Sequence, residues 1–374
     1  MNFDFNEEQY MFQETVRESL SAEYPIDLLR DGGDPVALEA ELWPKLAELG
    51  LFSLLVPEEQ GGLGLTAVDL ALIAEEFGAA LVPLTVTDTI AASLVIAKFG
   101  DDAQKAKWLE DLSTGGLRVA FAVYEKDGGY AAEGFASALT ADNRLNGKKL
   151  LVAGADRADL LLVIARDAAG EPVLLVVDRE RAGISVSREE ALDISGDYYS
   201  IGFDNVAIAE EDILGSASAA NVTYVLDLLA TIASLGMVGI GGRLLDVTLD
   251  YVKERVQFGQ PIGAFQAIKH RCADMAVDLN TARSGAYYAA WAMASADVDE
   301  RERAVSMAKS KANRMAVHVM REAIQLHGGM GYTWEMALHF HYRRGRLLGT
   351  LYGSTEYHQE RVLAGTVALL AAEQ

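Results

Sequence analysis

The chain is poor in several residue types, and each shortage excludes something. A single cysteine, Cys272, stands in 374 residues, so there is no internal disulfide framework. Its setting in a helical run, Arg271-Cys272-Ala273-Asp274-Met275, suits a small buried apolar residue rather than a redox centre. Positive charge is scarce: 32 Lys and Arg face 55 Asp and Glu, a formal net charge of -23 at pH 7. Such a field repels nucleic acid and anionic membrane surfaces, which both demand basic patches, so neither is expected as a partner. An anionic ligand would need local positive charge against that field. No uncharged apolar run reaches the ~18 residues that span a bilayer. The first residues, Met1 to Glu8, carry neither a basic stretch nor an apolar one, so they do not read as a signal peptide, and a cytoplasmic location is expected.

What is present is apolar and periodic. At 51% apolar residues the chain is long enough for two or three packed units. From Asn6 to about Leu112, apolar residues recur at spacings of three and four, which predicts helices over 7–20, 35–49, 67–77 and 87–98. Thr66 is placed as an N-cap and Gly78 as the stop of the third of these. Between Thr114 and Leu214 the period falls to two, predicting strands over 117–123, 160–164, 172–177 and 199–203. Asp142-Asn143 and Asn146-Gly147 supply turns, and the region reads as an antiparallel β domain. Long helices then return over 222–258, 265–296 and 301–326, the last stopping at Gly328-Gly329. The reading is an α+β chain with a helical domain over 1–113, a β domain over 114–215 and a long-helix bundle over 216–374.

Two segments carry more than packing information. The first runs Tyr251-Val252-Lys253-Glu254-Arg255-Val256-Gln257-Phe258-Gly259-Gln260-Pro261-Ile262, and the second, about seventy residues later, Gln325-Leu326-His327-Gly328-Gly329-Met330-Gly331-Tyr332-Thr333. Arg255 offers a planar fork of donors suited to a pyrophosphate, Phe258 an apolar face, and Gln266 and Gln325 amide donors and acceptors. Gly328 and Gly329 permit close backbone approach. Singly, Arg255 reads as a neighbour of Glu254 on a solvated helix face and the glycines as a helix cap. In this order and spacing the two segments resemble the signature segments of the acyl-CoA dehydrogenase family. Val56-Pro57-Glu58-Glu59-Gln60-Gly61-Gly62-Leu63-Gly64 resembles the family's N-terminal loop, and the helix–β–helix order extends the resemblance over essentially the whole chain.

The resemblance implies FAD as cofactor, an acyl-CoA thioester as substrate and an electron-transfer flavoprotein as acceptor. It also implies that Arg255, Phe258, Gln266, Gln325, Gly328 and Gly329, with Thr355, hold the ADP half of the FAD of a neighbouring subunit. The family's catalytic base is a glutamate at one of two places. Counted from Gly329 the first falls on Tyr352, or on Gly353 with one inserted residue; counted back from Gly259 the second falls on Leu229. None is a carboxylate. Tyrosine, with an ordinary pKa near 10, is a poor base for an α-proton. Asp227 lies about 200° around the helix from Leu229 at 3.6 residues per turn and points elsewhere. Glu356 is the remaining candidate.

The β domain departs from the family as well. The Thr-Glu-Pro-x-Ala-Gly-Ser-Asp loop becomes Tyr124-Glu125-Lys126-Asp127-Gly128-Gly129-Tyr130, and the Trp-Ile-Thr segment that covers the flavin ring becomes Leu151-Val152-Ala153. The chain thus resembles the base-lacking subunit of hetero-oligomeric, steroid-type acyl-CoA dehydrogenases, with a second family subunit as partner in a dimer of dimers. A homo-oligomeric dehydrogenase with an unusual base, a flavin monooxygenase on the same fold and a non-catalytic structural subunit stay open. Of the smaller motifs, Gly236-x-x-Gly239 reads as close helix packing because no strand precedes it. Ser306-x-x-Lys309 reads as a solvated helix face. His339-Phe340-His341 does not converge on one ion, so no metal is assigned. The cations Arg343 and Arg344 are read as facing a partner or a CoA phosphate.

Overall fold

A computed structural model describes residues 5–126, 129–294 and 297–372. Asp127 and Gly128 of the Tyr124–Tyr130 loop, and Ala296 at the expected end of a helix, lie outside the described residues. Helices α1 (Glu7–Glu23), α2 (Ile26–Arg30), α3 (Pro35–Glu48), α4 (Ala67–Ala80), α5 (Leu84–Phe99) and α6 (Asp102–Ser113) come first. Strands β1 (Val119–Ala122), β2 (Ala138–Leu139), β3 (Arg144–Ala153), β4 (Leu160–Arg166), β5 (Pro172–Asp178), β6 (Ile184–Glu189), β7 (Tyr198–Ala207) and β8 (Ile213–Leu214) follow. The last part holds α7 (Ala219–Glu254), the hairpin β9 (Val256–Gln257) and β10 (Gln260–Pro261), then α8 (Gln266–Met293), α9 (Val298–His327), α10 (Leu338–Thr350) and α11 (Thr355–Ala372). The helical, β and helical parts of the sequence reading are all present. Their edges are set by local chemistry: Asn6 and Gln9 close a capping box at α1, and Asp101 and Gln104 another at α6, each satisfying orphan backbone donors.

One compact unit takes described residues within 34–66 and 83–229. Its sheet runs β6-β7-β3-β2-β4-β5-β8, with β1 beside β4. The expected antiparallel domain is in fact mixed: β1 and β2 both pair with β4 in parallel, Val119 opposite Leu160 and Ala138 opposite Arg166. Four strands of this sheet were not foreseen: β2, β3, β6 and β8. The Asn146-Gly147 pair expected as a turn lies inside β3 at a register shift, where Gly147 has φ +154° and an added Cβ would come within 2.2 Å of Ser137 Oγ. Alternate residues of the strands, among them Leu161, Val163, Leu175, Val177, Ile201 and Phe203, bury one apolar face.

The other unit takes described residues within 5–33, 67–82 and 230–372, so the helices of the first third are shared between the two. Here α4 and α7 cross at their glycines. A Cβ on Gly78 would meet Gly236 O at 2.1 Å and one on Gly239 would meet Glu75 O at 1.8 Å. Gly236-x-x-Gly239 is therefore a packing motif, as expected, whereas Gly78 permits a helix crossing and does not stop α4. Glu75 is buried in an ion pair with Arg283 at 2.6 Å and accepts from Tyr287 Oη at 2.6 Å. Among the described residues α7 is the one helix long and apolar enough to cross a membrane, and its most apolar stretch is 94% buried inside the protein.

Candidate functional site

Helix α7 ends where its sequence turns polar, and the expected continuation to Phe258 gives way to a hairpin. Arg255 N–H still donates to Tyr251 O at 2.8 Å, and its own carbonyl accepts from Ile262 N–H at 2.8 Å. Gln257 pairs with Gln260, which leaves Phe258 and Gly259 as a two-residue loop with φ of +52° and +79°. Such loops favour Asn-Gly, because both central residues need positive φ. A phenylalanine held there costs roughly 1–2 kcal/mol. Its ring is 92% exposed and rests edge-on against Phe265, with centroids 6.1 Å apart. The backbone strain opposes folding of the isolated chain, and a ligand covering the ring would remove its apolar face from water. Phe258→Gly is therefore expected to leave the isolated chain as stable, or up to ~1 kcal/mol more stable, in urea unfolding, while lowering flavin retention in an assembled complex. A loss of several kcal/mol would mark Phe258 as an ordinary packing residue.

Arg255 is exposed, and among the described residues its side chain makes no ion pair or hydrogen bond, so the pairing with Glu254 that would tie it to a solvated face is not made. Gln266 opens α8 and is exposed. Tyr251, one turn before Arg255, ties this end of α7 to the end of α9. Its ring stacks on His327 at 4.3 Å and 25°, and its hydroxyl donates to His327 O at 3.3 Å. Beside His327, Gln325 is exposed and Gly328 has φ +59° and ψ -135°, a backbone region that only glycine enters readily. A Cβ at Gly328 or Gly329 would meet nothing within 4 Å, so both present open backbone. His327 is buried and donates Nδ1–H to Ala323 O at 2.8 Å; burial lowers its pKa, which keeps the imidazole neutral. Its Nε2 has no partner among the described residues. The sequence reading missed Tyr251 and His327, although an aromatic four residues before Arg255 and a histidine beside the glycine pair were visible.

Thr355, at the start of α11, lines a cavity of about 550 Å3 together with Asn313, Arg314, His318 and Arg321 of α9 and with Glu356. Gln325 lies one turn beyond Arg321 on the same helix. Neither Arg314 nor Arg321 is paired among the described residues, and the same lining holds two carboxylates, Glu322, which pairs with Arg271 at 3.3 Å, and Glu356. Glu356 is exposed, and its own backbone N–H at the helix start and then the Ser354 side chain hold its carboxyl below the usual range. A base for an α-proton needs the opposite shift.

No carboxylate stands at the three base positions. Tyr352 has φ +58° and its carbonyl accepts from His358 Nε2 at 2.9 Å. Gly353 is buried with φ +118°, and a Cβ there would lie 2.2 Å from His358 Nε2. Leu229 is buried in α7, as is Asp227. On the sheet, Glu125 is consumed by a buried ion pair with Lys149 at 2.7 Å and by the backbone N–H groups of Ala136 and Ser137. Tyr124 is half-buried. Leu151, in a left-handed conformation (φ +53°), Val152 and Ala153 sit at a register shift in β3 and offer neither an aromatic face nor a hydroxyl. Arg255, Phe258, Gln266 and the open backbone at Gly328-Gly329 supply the charge, apolar face and donors that the ADP half of FAD requires, while Leu151, Val152 and Ala153 supply no aromatic or hydroxyl side chain for its ring. Two further expectations are corrected. Arg344 is buried and donates to Val82 O at 2.9 Å, so it is not on the surface where it was expected. Ser306 and Lys309 are both fully buried rather than solvated.

A helical, a β and a second helical part, with an exposed hairpin at the end of a long helix, make up the architecture of an FAD-dependent oxidoreductase. Residues 6–116, 120–206 and 222–366 match the N-terminal, middle and C-terminal domains described for acyl-CoA dehydrogenases. The chain is 31% identical to the probable acyl-CoA dehydrogenase YngJ of Bacillus subtilis (strain 168), over 95% of this chain and 97% of that one. Among solved structures it is similar to a glutaryl-coenzyme A dehydrogenase in complex with glutaryl-CoA (TM-score 0.90, 27% identity, 98% of this chain and 97% of that one). It is also similar to a variant of the Tcur3481-Tcur3483 steroid ACAD (TM-score 0.87, 26% identity, 98% and 99%). The chain belongs to the acyl-CoA dehydrogenase family, and its activity is of the FAD-dependent acyl-CoA dehydrogenase type.

Proposed function

We propose that this chain takes part in α,β-dehydrogenation of an acyl-CoA thioester as the base-lacking subunit of a hetero-oligomer, where it clamps the ADP half of the FAD carried by a second acyl-CoA dehydrogenase subunit. One observation carries the reading: an Arg255 unpaired among the described residues and an exposed, strained Phe258 coexist with Leu229, Tyr352 and Gly353 at the base positions. Bound FAD would supply the hydride acceptor. Arg255 would meet the pyrophosphate, Phe258 an apolar face of the dinucleotide, and Gln266, Gln325, Thr355 and the open backbone at Gly328-Gly329 its polar edges. Removal of the α-proton falls to a carboxylate on the partner, and an electron-transfer flavoprotein would take the electrons onward. The similarity to a steroid acyl-CoA dehydrogenase named for two components supports both the pairing and a bulky acyl group.

The experiment is co-expression with a family member that does carry the glutamate, followed by acyl-CoA oxidation assays on the chain alone, the partner alone and the mixture. Turnover that requires the mixture is expected. Ordinary turnover by this chain alone would overturn the reading.

A further inference from the structure

Lys309 lies fully inside the protein, on the face of α9 opposite solvent. Its Nζ donates to Asn313 Oδ1 at 2.9 Å, to Leu348 O at 2.9 Å and to Gly353 O at 3.2 Å. Three acceptors match the three N–H bonds of an ammonium, whereas a neutral amine has only two and would turn its lone pair toward one of the oxygens. No carboxylate is among these contacts, and burial pulls the ammonium down to about 7. A charge held in the interior by neutral oxygens alone opposes folding, so its retention points to what it holds.

What it holds is the turn at the family's base position. Asn313 Nδ2 adds a weaker donor to Gly353 O at 3.4 Å. From α11, His358 donates Nε2–H to Tyr352 O at 2.9 Å and accepts at Nδ1 from Ser306 Oγ at 3.2 Å. Burial first and the charge of Lys309 second drive the His358 imidazole down to about 3, so it is neutral there. The carbonyls of Tyr352 and Gly353, in a turn with φ of +58° and +118°, are thus tied one after the other. Immediately beyond the turn come Thr355 and Glu356, which line the 550 Å3 cavity with Asn313.

We propose that Lys309 is the positioning residue of this site: its ammonium, joined to Leu348, Asn313 and Gly353, fixes the 352–354 turn and with it the first turn of α11, so that Thr355 and Asn313 stand where the cavity receives its ligand. The link to a ligand rests on the flavin-clamp reading; the fixing of the turn does not. Lys309 touches no ligand itself and acts through the turn.

The test compares wild type with Lys309→Met and Lys309→Gln by amide hydrogen exchange, thermal unfolding and FAD retained in the assembled complex. Loss of the ammonium is expected to speed exchange at residues 353–357 about ten- to a hundredfold, with exchange in α8 and the rest of α9 unchanged. Retained FAD falls in parallel, and the unfolding temperature changes little, because loss of the buried charge offsets the cost of the acceptors left without their donor. A residue that merely packs the core would give the reverse pattern, a lower unfolding temperature with faster exchange throughout α8 and α9. That pattern, or unchanged exchange at 353–357, overturns the proposal. If Lys309→Met fails to fold, the Gln variant carries the comparison. A wild-type complex that retains no FAD counts against the clamp reading, while exchange at 353–357 still decides the role of Lys309.

Discussion

Arg255→Ala is expected to strip an assembled complex of most of its FAD. The guanidinium is exposed and has no partner among the described residues, so none of them compensates its charge or depends on it. Covered by a pyrophosphate at an interface, it would make charge-assisted, fork-shaped contacts, and losing hydrogen bonds to a charged group typically costs ~1.5–3 kcal/mol, about ten- to a hundredfold in affinity. Arg255→Lys recovers only part of this, since a point charge cannot reproduce the fork. The stability of the isolated chain should move by less than ~0.5 kcal/mol, as for other surface substitutions. FAD retained after gel filtration of wild type and both variants is the measurement. Equal retention in all three would mean that the hairpin does not meet a flavin.

Gly353→Glu should damage the fold instead of restoring the missing base. Gly353 has φ +118°, which strains any other residue, and a Cβ would overlap His358 at 2.2 Å and approach Tyr357 Cδ1 at 2.9 Å. Backbone strain of about 1–3 kcal/mol and overpacking of about 1–3 kcal/mol put the expected loss at roughly 2–6 kcal/mol in urea unfolding. Because the closest overlap is with His358, Gly353→Ala should cost less in a His358→Ala background than alone, a coupling of at least ~0.5 kcal/mol. If Gly353→Glu instead proved as stable as wild type and raised turnover by the ~10²–10⁴-fold that a general base supplies, the turn would be an intact catalytic position that had merely lost its carboxylate.

Periodic features were legible in the sequence, and features that depend on long-range neighbours were not. Helices α8 and α9 emerge within a few residues of the expected spans because apolar spacing and end signals agree over many turns. Asn146-Gly147 has the composition of a turn, but pairing of β3 with β7 overrides it and uses the glycine at a register shift. Parallel pairing of β1 with β4 has no local signal, since it is set by which strands meet and not by their own residues. Gly78 looks like a helix stop until Gly236 of α7 is seen against it. Lys309 and Arg344 are misread for the same reason: a long cationic side chain signals solvent unless carbonyl oxygens elsewhere in the chain are in place to receive it. At the site, the order Arg255, Phe258, Gln325, Gly328 was readable, but the left-handed conformation of Phe258 was not, because two-residue hairpins favour asparagine there.

The central claim is that this chain lends a clamp to another subunit's flavin and holds no complete flavin site of its own. The most direct measurement is FAD per chain, from the flavin absorbance of the purified chain and of the purified complex with its partner. The account predicts little or no FAD on the chain alone and one FAD for every two chains in the complex, with Arg255→Ala lowering the second value and leaving the first unchanged. A yellow homo-oligomer of this chain with one FAD per subunit would contradict it.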